Sequence, residues 1–306
     1  MYALDVDDPE ALVASFTDYD RMLWTEHGCT LEQITWYKHR LAEFPKRELM
    51  QAEFPTTPLE AFVSSDANVF SNNDIEALRE NCRAPRTGEI DGAGAFVECA
   101  GGKLQVWERP LSRAEYVAVV DVGGRSEKSD WSVIAVLKRG AVPEVVAQWR
   151  GHIDHDLLGD RAMSIARHYN RALLVIESNS LESAPDESVS ATVLARVASA
   201  YDNTYRRKPE NGAAEGNVGF HTNRNTKARV IDTLVAALRD KTYVERDNEA
   251  CNEMATYCRL PNGSYEARRG CHDDILMTRA IGLYVIGQTG ARYNPAEWAF
   301  DDLPAW

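Results

Sequence analysis

The chain has 306 residues with 44% apolar and 26% charged residues, which is the composition of a globular protein long enough for one large domain or two smaller ones. Its formal net charge of −13 excludes a protein that coats nucleic acid, since phosphate binding needs clustered Lys and Arg, but leaves room for a nuclease that gathers carboxylates at its centre. No apolar stretch approaches a membrane span and Met1–Glu10 lacks the regions of a signal peptide, so a cytoplasmic location (of a host cell) is the default expectation. Cys29, Cys82, Cys99, Cys251, Cys258 and Cys271 are scattered without CxxC spacing, so reduced thiols are expected and neither a disulfide framework nor a zinc site is indicated.

In chain order, Met1–Asp20 is acidic and mixed. Thr30 followed by Glu32-Gln33 reads as a helix start, and Leu31, Ile34, Tyr37 and Leu41 recur at helical spacing until Pro45. Phe54-Pro55-Thr56-Thr57-Pro58 is extended, because a residue before proline is pushed out of the helical region. Leu59–Val63 reads as a short apolar turn and Asn73–Cys82 as a short capped helix. Pro85–Gly102 holds five glycines and few large apolar residues, the composition of a linker or surface loop. Residues 1–85 thus read as a helical and extended appendage, 86–115 as a linker with a first edge strand, and 116–306 as the main domain.

Within that domain, Tyr116–Val122, Trp131–Leu137 and Val142–Trp149 are apolar, β-rich runs spaced for a three-stranded antiparallel meander. Asp121, Gly123 and Gly124 close the first run, where glycines let a ligand or metal approach the backbone. Asp156–Tyr169 has one apolar helical face, and Ala172–Ile176 is a buried strand that ends in Glu177. A helix between strands implies a crossover, so this strand is expected to lie parallel to the Tyr116 strand. Ser180–Ser190 and Pro209–Gly216 read as loops, Ala191–Tyr205 as a helix and Val218–His221 as a short strand-like piece. Asn225–Leu238 is an amphipathic helix, Glu249–Tyr257 a short helix between edge strands at Thr242–Val244 and Ser264–Tyr265, and His272–Ile286 an apolar helix opened by Asp273-Asp274. The fold class is α/β, a central mixed sheet flanked by helices.

Asp121, Glu177 and the Asp273/Asp274 pair share one character. Adjacent parallel strands place Asp121 and Glu177 side by side at their carboxyl ends, where open α/β sheets bind ligands. A helix start aimed at that edge adds one or two more carboxylates. Each acid alone is ordinary turn or cap chemistry; together they repel one another unless they share a proton or bind a cation. Oxygen ligands favour Mg²⁺ or Mn²⁺ over zinc. Two such ions ~4 Å apart suit phosphodiester hydrolysis. His272 reads as a residue before the helix that can bind phosphate or metal, and Asp130 as a turn residue or an outer ligand. Basic side chains for local DNA contacts are Arg206-Arg207-Lys208, Arg224, Lys227, Arg229 and Arg268-Arg269.

The blocks DVGGRSEKSDWSVIAVL, VVAQWRGHI, RHYNRALLVIESNS, GFHTNRNTKARVIDTL and GCHDDILMTRAIGL follow in that order. This succession, over roughly Tyr116–Gln288, resembles the nuclease domain of the large terminase subunit of tailed bacteriophages. LEQITWYKHRL and MQAEFPTTPLEAFVSS resemble the segment that joins that subunit's ATPase motor to its nuclease. The resemblance implies an RNase H-like fold and a two-metal endonuclease, using Mg²⁺ or Mn²⁺, that cuts concatemeric viral DNA during head packaging. It places the family's first acid on Asp121, its central acid on Glu177 and its last within Asp273-Asp274, with Asp274 favoured. Asn179 matches the ESN block as an aid to Glu177, and Thr222, Asn223, Thr226 and Lys227 match the GFHTN…TK block. The partners implied are double-stranded DNA, a portal protein, the small terminase subunit and an ATPase motor; no membrane is involved.

Two features depart from the family. Glu177 is followed by SNSLESAPDES rather than by an early glycine, and no GxxxxGK[ST] phosphate loop occurs. The expectation is a fragment or the second product of a split gene. The competing readings are a non-catalytic packaging and assembly module, another RNase H-like nuclease such as a junction resolvase, and an actin-like phosphotransferase. The last fits poorly, because Asp91-Gly92 lies upstream of Asp121-Val122-Gly123-Gly124 instead of forming a second phosphate loop after it.

Overall fold

The computed structural model of the chain describes residues 3–44, 50, 53–56, 68–123, 130–177, 194, 196–207, 216–260, 262–268 and 270–289. Two compact units are formed, Met1–Asn68 and Val69–Trp306. The first contains α1 (Pro9–Ala14), α2 (Asp18–Thr25) and α3 (Leu31–Leu41). Thr17 with Asp20 and Thr30 with Gln33 form reciprocal capping boxes that satisfy the first amides of α2 and α3. Phe16, Leu23 and Ile34 make its small core.

The second unit holds α4 (Asn72–Arg79), β1 (Arg86–Ile90), β2 (Phe96–Glu98), β3 (Leu104–Val106), β4 (Tyr116–Asp121), β5 (Ser132–Lys138) and β6 (Glu144–Gly151). There follow α5 (His155–His168), β7 (Leu173–Ile176), α6 (Arg224–Arg239), α7 (Asn248–Ala255), β8 (Tyr257–Arg259), β9 (Tyr265–Ala267) and α8 (Asp274–Thr289). Among the described residues, seven strands form one sheet in the order β2-β1-β3-β6-β5-β4-β7, and β8 and β9 make a separate hairpin. The expected meander is present: β4 pairs antiparallel with β5, and β5 with β6. After the α5 crossover β7 pairs parallel with β4, Val117 opposite Leu173 and Val120 opposite Ile176. This is the mixed α/β, RNase H-like architecture.

Pro85–Gly102 is the clearest correction. It is not a linker: it carries β1 and β2, and β1 joins the sheet through β3. Two of its glycines, Gly88 and Gly102, serve close packing, since a Cβ on Gly102 would lie 2.5 Å from the Cα of Gly88. The short helix predicted over Glu249–Tyr257 ends at Ala255, and Tyr257 begins β8 instead. Thr242–Val244 contributes only an isolated parallel bridge from Val244 to Glu144. Leu59–Val63, Ser180–Ser190 and all but the last residue of Pro209–Gly216 lie outside the described residues, as does part of Ala191–Tyr205, of which 196–200 are helical.

Period-two alternation decides what each face of the sheet touches. Ala118, Val120, Leu174 and Ile176 pack with Leu158, Ala162 and Ile165 of α5. Val119 and Leu137 point the other way, against Gly282 of α8. α8 is buried from Asp274 to Leu283, as expected of a helix that is apolar on nearly all sides. α6 packs beside it. Among the described residues no helix is long and apolar enough to cross a membrane.

One buried charge fixes α8 in this position. The Arg279 guanidinium, fully buried, donates from Nε to Glu245 Oε2 at 3.1 Å and from Nη2 to Glu245 Oε1 at 3.2 Å, with Asp247 Oδ2 at 3.9 Å. Gln148 Nε2 of β6 donates to the same Asp247 oxygen at 2.7 Å, and the Tyr243 hydroxyl donates to Glu245. Removing the cation leaves two acids buried without compensation, so Arg279→Ala is expected to cost about 3–5 kcal/mol of stability. Urea denaturation of the full chain measures it; a loss below about 1 kcal/mol would show that the network contributes little.

Candidate active site

β4 and β7 run parallel, so their carboxyl ends meet at one edge. Asp121 is the last residue of β4, and the N–H of Glu177 donates to Val120 O at 2.9 Å, which carries the pairing one residue past β7. Asp121 alternates with Val120, and Glu177 with Ile176. Both acids therefore fall on the α8 face, opposite the α5 core. Asp273 and Asp274 open α8, and the Asp273 carbonyl accepts the Met277 N–H at 2.9 Å. A parallel strand pair and a helix start thus deliver four carboxyl groups to one place.

Their electrostatics follow from that crowding. Desolvation is the largest influence on Asp121 and raises its pKa well above the usual carboxylate range. Glu177 raises it further through its charge and a hydrogen bond to Asp121, and Asp274 and Asp273 add to the effect. Asp274 is pushed up to about 6, first by burial and then by the charges of Asp130 and Asp273. The Trp131 N–H, 3.2 Å from its Oδ2, and the nearby His272 act in the opposite direction.

Each acid has its own support. His272 Nδ1 lies 3.7 Å from Asp274 Oδ2 and 3.9 Å from Oδ1 of the exposed Asp130. Lys227 Nζ lies 3.4 Å from Asp273 Oδ2 and sits over the Tyr257 ring. Lys227 occupies the first turn of α6, whose start Asn223 caps by accepting the N–H groups of Asn225 and Thr226 at 2.9 and 3.0 Å. Glu253 of α7 accepts the Leu276 N–H at 2.8 Å, a cap supplied to α8 from another helix. Burial pushes the Glu253 carboxyl up to about 8, and the charge of Asp274 contributes.

Among the described residues, no three His, Cys, Asp or Glu side chains are spaced to hold a metal ion as they stand. Asp121 is instead hydrogen-bonded to Glu177, and Asp273 is drawn to Lys227. Proton sharing is what crowded carboxyls do in place of binding a cation. The donor set, all carboxylate oxygens, fits a hard divalent ion once the protons leave.

No protein-family model matches the chain, and no curated protein matches it. Two solved structures of the large terminase nuclease from thermophilic phage G20c, one with bound magnesium and one with bound cobalt, are similar in fold. Both have a TM-score of 0.50 over 72% of this chain and 98% of theirs, at 17% and 18% identity. The fold is that of a phage large-terminase nuclease. At this identity the likeness lies in the course of the backbone, so the roles of individual side chains rest on the geometry above.

Within the terminase-nuclease fold, Asp121, Glu177, Asp273, Asp274, His272 and Lys227 converge. A Cβ on Gly123 would lie 2.3 Å from Asp130 O, so the glycine admits the backbone that leads into β5. Thr222 is buried just before the α6 cap. Arg224 Nη2 donates to Asn262 O at 2.6 Å, and Arg229 lies further along α6. Arg206 bridges to Val218, the Arg207 N–H donates to Asn217 O, and the Arg268 N–H donates to Thr256 O beside β9. Asn179, Lys208 and Arg269 lie outside the described residues. Sequence reading missed Glu253 and the backbone of Trp131. The signal for Glu253 was an acid among Ala250, Cys251 and Met254, which are buried in the same helix.

The raised carboxyl of Asp274 gives a pH test in the presence of EDTA. Between the ordinary carboxylate value of about 4 and the folded value of about 6, the folded chain holds a proton that the unfolded chain has lost. Stability therefore falls as pH rises through that window. Asp274→Asn, neutral throughout, is expected to gain on the wild type by on the order of 2–3 kcal/mol between pH ~4 and ~7. Urea midpoints across that range measure the gain; a difference independent of pH would contradict it.

Proposed function

We propose that the chain is a metal-dependent DNA endonuclease that cuts concatemeric viral DNA during genome packaging. The observation that carries this reading is the convergence of Asp121, Glu177, Asp273 and Asp274 on one face at the ends of β4 and β7, in a state that only a proton or a cation can stabilise. Asp121, Glu177 and Asp274, helped by Asp273, would hold the divalent ions, two Mg²⁺ or Mn²⁺ in this reading. When bound, such ions supply an acidified water for in-line attack on phosphorus and neutralise the departing 3′ oxygen. Magnesium and cobalt bound by nucleases of like fold support a divalent-ion site.

The chain's own groups have definable tasks. Asp121, raised towards its protonated form by burial and by Glu177, would release its proton when an ion binds. The Trp131 N–H orients Asp274 at Oδ2, and His272 adds a second polar group beside the same oxygen. Lys227, paired with Asp273, would leave it for a substrate phosphate, a role that suits a cation at a capped helix start. Duplex DNA is the substrate in this reading, and portal protein, small terminase subunit and an ATPase motor are the partners.

Supercoiled plasmid incubated with the purified chain in EDTA, Mg²⁺ or Mn²⁺ tests the proposal, beside Asp121→Ala. Nicked and linear products are expected only with metal, and not from the variant. Cleavage in EDTA, or cleavage that survives Asp121→Ala, would overturn it.

A further inference from the structure

Away from the acids, two cysteines distant in sequence meet. Cys82 lies just beyond α4 and is half-buried; Cys251 lies in α7 and is buried. Their sulfurs are 3.8 Å apart across 169 positions of sequence. A disulfide needs about 2.05 Å, so the sulfurs would have to close by about 1.8 Å. The two are chemically unequal. The Cys82 thiol is held below its ordinary pKa, chiefly by a hydrogen bond from Cys251 and secondarily by the Arg79 charge, against burial and the acids Glu245 and Asp247. The Cys251 thiol is pushed up by its bond to Cys82 and by burial. Arg79 is itself held in place, its Nη1 donating to Asn252 Oδ1 at 3.1 Å, one residue past Cys251. Cys258 and Cys99 differ: Cys258 donates to Glu266 O at 3.5 Å, and Cys99 is exposed.

We propose that Cys82 and Cys251 are an oxidisable thiol pair, a modification site at which a peroxide converts the two thiols into a disulfide joining the end of α4 to α7. The Cys82 thiolate attacks one peroxide oxygen; the O–O bond breaks, and Cys82 becomes a sulfenic acid as hydroxide leaves and takes a proton to form water. Cys251 then attacks the Cys82 sulfur, the S–O bond breaks, and the Cys251 proton leaves with the departing oxygen as a second water. Two thiols and one peroxide thus give one disulfide and two waters, with two electrons passing from sulfur to oxygen. The thiolate partner is the more accessible one, as the first step requires. The consequence reaches the candidate site through α7, because Glu253, two residues after Cys251, caps the helix that begins with Asp274. The bond would clamp that supporting helix without touching the acids.

The test uses the full chain, reduced, desalted and treated with a small excess of hydrogen peroxide. Thiols are then blocked and the chain is unfolded, digested and analysed by mass spectrometry. The expected result is a linked Cys82–Cys251 peptide, lighter by two hydrogens than its parts, that forms at least ~10-fold faster than oxidation of the exposed Cys99. Cys251→Ser should instead leave a Cys82 sulfenic acid that dimedone captures. Two results overturn the proposal: both thiols remaining alkylatable at a dose that oxidises Cys99, or crosslinks spread among all the cysteines. Because the primary measurement is on the native chain, a variant that fails to fold does not decide it.

Discussion

The rest of the second unit is arranged around the mutual repulsion of four carboxyl groups. Asp121 and Glu177 share one face because the side-chain period is two and because β7 pairs parallel with β4, residue for residue. Asp273 and Asp274 are brought to them by the start of α8. A set of acids this close is stable only if protons are retained or cations enter, and both Asp121 and Asp274 are raised towards the protonated form. Folding alone would select against such an arrangement; a divalent ion would turn the same crowding into affinity.

The supports around the acids explain how the crowding is tolerated. α8 cannot retreat from the sheet, because Arg279 is locked to Glu245 and Asp247 and because Val119 and Leu137 pack on Gly282. Its first free amides are answered from outside the helix, by Glu253 at Leu276. The Asp274 carboxylate is answered by the N–H of Trp131, the residue just before β5, the strand beside β4. Trp131 is in turn held by a stacked His152, with ring centroids 4.0 Å apart, and by the Arg150 guanidinium over its ring. Position therefore passes from the sheet to Trp131 and then to Asp274.

Much of this was legible in the sequence. Continuous apolar runs that end in Asp121 and Glu177 marked two buried strands, and the helix between them implied their parallel pairing. An apolar helix with two acids in its first turn marked α8. The β1–β2 pair was not legible, since glycines that pack backbone against backbone look the same as glycines that loosen a loop. Glu253 was hidden because a single acid in a short helix reads as a solvated one. Trp131 was hidden because it acts through its main chain, which no side-chain pattern reveals. The resemblance of the five sequence blocks to terminase nucleases and the likeness of the folds agree, although residue identity with the solved structures is only 17–18%.

The central claim is that these acids form a divalent-ion site. Binding of Mn²⁺ to the folded chain, followed by electron paramagnetic resonance at pH 8, tests it most directly. The account predicts saturable binding by the wild type that is lost in Asp121→Asn, with both proteins folded by circular dichroism. A folded wild type that leaves Mn²⁺ free in solution, or an Asp121→Asn chain that binds as the wild type does, would contradict it.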